Sequence, residues 1–196
     1  MTRALAFLAI VLAVGLSGGC GSSPISSFYR LKPEAPPTAT GAAARLNVVV
    51  SPVTIPELVD RPQIVVSLAD NKVWPNEFQR WAEPLKGNIQ RTIAGNLAAL
   101  LGSENVSVFE TGASATSMWR VRVDVMRFDS APGDAATVEA LWTIWPPGQS
   151  TPIAGHTLAR EPIQAQGYDA LVAAHDRALA QVSQDIAAAI QQRASR

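Results

Sequence analysis

Apolar residues recur along this chain at two different periods, and the changes of period divide it into elements. Trp81, Leu85, Ile89, Ile93 and Leu97 follow one another at intervals of four, with Leu100 and Leu101 prolonging the stripe. That spacing predicts a helix buried along one face. Pro84 suits its first turn, where a missing N–H costs nothing, and Gly102 suits its C-terminal stop. Gly87 and Gly95 each weaken such a helix by ~1 kcal/mol relative to Ala, so tertiary packing must hold it. At 118–128 the period drops to two. Val121, Val123 and Val125 share one face and Arg120, Arg122 and Asp124 the other, the pattern of a half-buried antiparallel strand. Strands at 135–145 and 153–163 continue the run, joined by Ala131-Pro132-Gly133-Asp134 and Pro146-Pro147-Gly148. A long helix from 168 to about 192 closes it, with Leu171, Val172, His175, Leu179, Val182, Ile186 and Ile190 on one side and Ala, Gln, Asp and Arg on the other.

The first third is less regular. Phe28-Tyr29-Arg30-Leu31 reads as a first strand, and 32–44, "KPEAPPTATGAAA", is too rich in Pro, Ala and Thr to pack. The segment 45–59, "RLNVVVSPVTIPELV", opens as a buried Val-rich strand, and Pro52 and Pro56 confine its far half to an edge or bulge. A short strand at 63–67 precedes a turn at Asp70-Asn71. Strands, helix, antiparallel strands, helix is the order of an α+β fold. The expectation is a single domain whose mostly antiparallel sheet has two main helices packed on one face.

Composition narrows the function classes. Of 196 residues, 47% are hydrophobic and 16% charged, with 16 Lys+Arg against 16 Asp+Glu. This is globular rather than disordered composition, and a net charge of zero without a basic run removes nucleic acid as a partner.

The start, "MTRALAFLAIVLAVGLSGGCGSS", changes the picture. Arg3 is a positive n-region, 4–16 is an apolar run too short to span a bilayer, and Ser17-Gly18-Gly19 follows as a turn. Residues 1–19 read as an export signal. Export leads to an oxidising compartment, yet Cys20 is the single cysteine. A core thiol, an intermolecular disulfide and an acylation site compete for it, and the Gly/Ser surroundings disfavour the first. "LSGGC" resembles a bacterial lipoprotein box, with one departure: Ser17 stands where the box usually has a large apolar residue, and Leu16 lies one place further back. The resemblance implies a diacylglyceryl group on Cys20, an acylated tether over 20–27 and a domain over 28–196. Multiple acyl chains, at about 0.8 kcal/mol per buried CH₂, would hold the protein on a membrane. Gly21 is not Asp, which by resemblance to the sorting rule of enteric bacteria implies the outer membrane.

Candidate chemistry is sparse. No nucleophile stands beside a base in a known pattern, no Cys/His spacing suits a metal, and no glycine-rich loop suits a phosphate or nucleotide cofactor. His156 and His175 are each isolated in the sequence and read as structural. The densest unusual cluster lies between Asp60 and Leu85. It holds Asp60, Arg61 and Gln63 around a proline, then Arg80, Trp81 and Glu83 just before the helix. One reading is structural: Trp81 anchors the helix start, Glu83 favours the positive end of the helix dipole, and an Arg–Glu pair fixes the entry angle. The other makes the same residues a partner or assembly contact, since Trp and Arg are favoured interface anchors.

"DRPQIVV" (60–66), Asn71 and "EFQRWAEPLKGNIQRTIAGNLAALL" (77–101) resemble the ABC-type transport auxiliary lipoproteins, the PqiC/YmbA family. The lipoprotein start, "FYRL" after the tether and the closing "YDALVAAHDRALAQVSQDIAAAI" helix fit as well. The resemblance implies a non-enzymatic lipoprotein facing the periplasm, beside transport systems built on MCE (mammalian cell entry) domains that move lipid between membranes. It also implies docking of an MCE component at the outer membrane, with a homo-oligomeric ring as one form of assembly. The rival is a periplasmic binder that itself holds a lipid. It needs an apolar cavity of about 300–1,000 Å³, which Trp142 and Trp145 could line. A third reading, an envelope hydrolase, finds no nominated residue.

Overall fold

The computed structural model describes residues 24–35, 46–69, 71–109, 117–148 and 151–195. The expected export signal, Cys20, residues 36–44 of the Pro/Ala-rich segment and Asp70 therefore lie outside the described residues. Among the described residues, eight strands and two helices follow in the order β1 (Ser27–Tyr29), β2 (Val48–Val50), β3 (Gln63–Ala69), β4 (Lys72–Trp81), α1 (Leu85–Leu101), β5 (Val106–Ser107), β6 (Trp119–Ala131), β7 (Ala135–Trp145), β8 (Ile153–Pro162) and α2 (Tyr168–Ala194). The class is α+β, as the order of periods predicts.

The strands form two sheets rather than one. A five-stranded sheet has the order β5-β2-β6-β7-β8, and a three-stranded sheet the order β1-β4-β3. The long ladders β6/β7, β7/β8 and β3/β4 are antiparallel, while the short ladders of β2 with β5 and β6, and of β1 with β4, are parallel. Of 45–59 only Val48–Val50 is strand. Past Pro52 the backbone leaves the ladder and touches it once more, at Thr54 beside Asp124.

The strand β4 has no counterpart in the periodicity, because Pro75 and a register shift interrupt its alternation. A proline is excluded from a strand paired on both sides. Here β1 pairs only with Gln79, Arg80 and Trp81, so Pro75 lies where β4 has a single neighbour, opposite Val65. The strand also claims Trp81, the first residue of the fourfold stripe. Trp81 is its last residue, and the helix begins at Leu85.

Both helices cover the inner face of the five-stranded sheet. On α1, Leu85, Ile89, Ile93, Leu97 and Leu101 are all buried, each contributing roughly 1.5–3 kcal/mol. Pro84 is the N-cap and Gly102 the C-cap, the latter left-handed at φ 59° with cap N–H groups returning to the Ala98 and Ala99 carbonyls. On α2 the buried face is wider than the aliphatic stripe. Ala174, Ala178, Ala180 and Ala187 are buried too, as are His175 and Asp176, so the alanines expected to face solvent partly line the core. Ala136, Ala140 and Ala159 are buried on the sheet, and small residues on both layers let helix and sheet approach closely.

The start of the Pro/Ala-rich segment is tied down, contrary to its composition. Leu31 exchanges backbone hydrogen bonds with the Asn88 side chain at 2.6 and 3.1 Å, Lys32 N–H donates to Asp176 Oδ1 at 3.0 Å, and Glu34 and Ala35 N–H both donate to Asn96 Oδ1. This strap crosses α1 at Gly95, where a Cβ would stand 2.4 Å from Pro33 Cγ. Asn96 also donates to Ser183 Oγ of α2 at 3.3 Å, so one side chain joins strap and both helices.

Candidate functional site

The loop after β2 turns back through Val59 N–H to Pro56 O and Arg61 N–H to Val59 O, and is fixed to the end of β4 by Trp81 N–H donating to Pro62 O at 2.7 Å. Ala82 N–H in turn reaches Tyr29 O at 2.7 Å. Two stretches about twenty residues apart are thereby brought together around a pocket of about 390 Å³. Asp60, Arg61, Pro62, Trp81, Ala82, Glu83, Pro84 and Leu85 line it. Four of the six residues singled out by sequence, Asp60, Arg61, Trp81 and Glu83, meet here.

Two do not. Gln63 and Arg80 are cross-strand partners on β3 and β4, and both turn to Glu77, Gln63 by amide hydrogen bonds of 3.1 and 3.3 Å and Arg80 by an ion pair at 3.9 Å. They form a separate polar cluster on the small sheet.

At the pocket the charges are mostly cancelled. Lys86 Nζ lies 2.6 Å from Asp60 Oδ2, and Arg91 pairs with Glu83. The Arg–Glu pair expected at the helix entry is thus Glu83 with Arg91, one and a half turns into α1, rather than with Arg80. Lys86 carries no signal in the sequence pattern because only the fold brings it back to Asp60 in the loop, and Arg91 reaches Glu83 from eight residues further along, outside any i+3 or i+4 spacing. Arg61 is exposed, and its guanidinium has no ion pair or hydrogen bond among the described residues. With two pairs neutralised, it leaves the pocket mouth one positive charge. Trp81 is only 5% exposed and meets Phe128 edge-on at 6.2 Å. Its ring is core first and pocket wall second.

Both histidines have partners that sequence could not supply. His156 Nε2 lies 2.9 Å from Glu139 Oε1 on the exposed face of the large sheet. His175 is fully buried, stacked on Phe128 at 4.0 Å, with Nε2 2.8 Å from Ser130 Oγ and Nδ1 without a hydrogen-bond partner. Burial drives its pKa down to about 3, so the ring is neutral. Ser130 and His175 are sealed in the core, 2% and 0% exposed, out of reach of any substrate. The adjacent Asp176 is raised to about 6, first by burial and against the hydrogen bond from Lys32. No group of three or more His, Cys, Asp or Glu residues suited to a metal occurs among the described residues.

The tryptophans do not line a common cavity. Trp142 is buried flat against Gly155, where a Cβ would stand 2.1 Å from the ring, and its indole N–H donates to Thr157 Oγ1 at 3.1 Å. Trp145 borders an open cleft of about 420 Å³ of mixed lining, with Ser51, Pro52, Thr54 and the side chains of Arg120 and Arg122, rather than an enclosed apolar cavity.

A family model for the ABC-type transport auxiliary lipoprotein component matches residues 29–187. The chain belongs to that family. No curated protein matches it in sequence. Among solved structures, the crystal structure of a protein from Xanthomonas campestris shares 18% identity at a TM-score of 0.65, covering 87% of this chain and 100% of that one. The crystal structure of another protein, described as uncharacterized, shares 22% identity at a TM-score of 0.69, covering 85% and 99%. At these identities the likeness shows a shared fold. Among the described residues, no helix is long and apolar enough to cross a membrane.

Proposed function

We propose that this protein is a non-enzymatic accessory subunit of an MCE-type intermembrane lipid transport system, acylated at Cys20, facing the periplasm and docking the MCE component at the outer membrane. Residues 1–19 are its cleaved signal, 20–27 its tether and 28–196 the working domain. The observation that carries the reading is the pocket formed by the family-like "DRPQIV" and "RWAEPL" stretches. Trp81 provides a rigid wall, two ion pairs fix the rim, and the unpaired Arg61 is presented outward. A buried aromatic beside an exposed guanidinium is a surface suited to holding a protein segment. Gln63 and Arg80 extend the contact along the small sheet, and a homo-oligomeric ring would use the same face.

The test is gentle extraction of the full-length protein from native membranes through a C-terminal tag. Co-purification of an MCE-domain protein, together with an N-terminal peptide whose mass places acyl chains on Cys20, supports the reading. An unmodified terminus without that partner overturns it.

A further inference from the structure

Six of the eleven large hydrophobic residues that stand exposed among the described residues belong to the small sheet and the chain leading into it. They are Ile25, Phe28, Leu68, Val73, Trp74 and Phe78, between 42% and 91% exposed. Leu68, Val73 and Trp74 cluster where β3 meets β4, with Lys72 beside them. Val73 and Trp74 are successive strand residues and so point to opposite faces. Both are exposed, at 42% and 51%, so this end of the hairpin stands clear of the body.

The direction of β1 decides what that end faces. Ser27, Phe28 and Tyr29 run parallel to Gln79, Arg80 and Trp81, so the chain enters β1 from the side on which β4 begins. Cys20 is four residues before Pro24, the first described residue, and can lie no more than about 14 Å from it. From Gln79 back to Trp74 the strand covers at most ~17 Å. The chain leading back to Cys20 therefore leaves β1 at the end of the sheet where β4 begins, and the reach from Pro24 to Cys20 is comparable with the strand length from Gln79 to Trp74.

We infer that the β3–β4 hairpin end, with Leu68, Val73 and Trp74, is a second membrane contact, seated in the lipid interface beside the acylated Cys20. The inference rests on the acyl-anchor reading above. A tryptophan at the headgroup level with a lysine reaching up to phosphate is the usual chemistry of an interfacial contact. Ile25, Phe28 and Phe78 add exposed apolar surface on β1, the chain leading into it and β4. Two contacts instead of one fix the orientation of the domain, which a flexible tether alone leaves free.

The test uses the full-length protein in phosphatidylethanolamine–phosphatidylglycerol vesicles with brominated acyl chains, after the mass of its N-terminal peptide has been measured. Bromine quenches tryptophan only at membrane depth. Trp81, Trp119 and Trp142 are buried in the domain at 5%, 5% and 8% exposure, and the half-buried Trp145 on the large sheet sets the background that remains after Trp74→Phe. The expected result is strong quenching that Trp74→Phe largely removes while the protein stays vesicle-bound. Acylated protein whose quenching is absent, or unchanged by Trp74→Phe, overturns the hairpin contact and leaves the anchor standing. Trp74→Glu that breaks up an assembly of copies or a complex with another protein, without any lipid quenching, reassigns the hairpin to a protein contact and equally overturns it. An unacylated protein that does not bind vesicles removes the anchor reading and this inference with it.

Discussion

Trp81, Trp142 and Gly155 show how much of this molecule turns on single contacts. Trp81 closes the core against Phe128 while its edge forms a pocket wall. Trp81→Ala should destabilise the domain by ~3–5 kcal/mol, measured by urea unfolding. A small loss with an abolished partner would make the ring an interface anchor instead. Trp142 lies where a Gly155 side chain would have to be. Gly155→Ala should cost about 1–3 kcal/mol by overpacking, since a rigid indole cannot move aside as a flexible chain can. Arg61→Glu provides the contrasting case. An exposed arginine whose guanidinium has no partner among the described residues contributes little to folding, so its reversal should shift stability by no more than ~0.5 kcal/mol. Pull-down of the membrane partner should fail all the same.

At the scale of elements, α2 places two buried titratable groups side by side with opposite effects. His175 titrates at about 3 in the folded protein, below its ordinary 6.5, so the unfolded chain takes up the proton first. Its contribution is present above pH 6.5 and is lost as pH falls toward 3. Asp176 titrates at about 6, above its ordinary 3.8, so its buried charge costs stability above pH 6 and the cost is relieved as pH falls toward 3.8. Between pH 6 and 4 the two oppose each other. His175→Gln should therefore make stability rise on acidification through this window, and Asp176→Asn should make it fall, as read from urea midpoints at several pH values. Identical slopes in both variants would contradict the assignment. Asp176→Asn also keeps an acceptor for Lys32 N–H, so the strap over the helices should stay in place.

For the whole molecule, the proposed reading turns on attachment through Cys20. Cys20→Ser should release the protein into the soluble fraction, as followed by membrane flotation, while the folded domain keeps its unfolding midpoint. Continued membrane association would mean that something other than an acyl chain holds it. The pocket and the β3–β4 hairpin belong to the same small sheet region, linked through Trp81 at the end of β4 and through Ala82 N–H to Tyr29 O. On the proposed reading, one part of the molecule meets lipid and an adjoining part meets protein.

The sequence by itself determined the elements with strong periods. The alternation of Val121, Val123 and Val125 became β6, and the aliphatic stripes from Leu85 and from Leu171 became the inner faces of α1 and α2, because a regular apolar period has one geometry that buries it. Of the six residues that stood out between 60 and 85, Asp60, Arg61, Trp81 and Glu83 meet at one pocket while Gln63 and Arg80 do not, a division that residue type alone does not encode. Tertiary structure alone decided the rest. Trp81 fits a helical stripe by spacing, yet it ends a strand, because β1 and the Pro62 carbonyl capture its backbone before the helix starts. The strand β4 is hidden by Pro75, which is tolerated only because one neighbour is missing at that point. Lys86, Ser130 and Glu139 meet Asp60, His175 and His156 only through the fold, and no local pattern encodes contacts between residues that far apart in the chain. The parallel register of β1 on β4 sets from which end of the small sheet the chain enters it, and a three-residue strand carries no periodic signal for that direction.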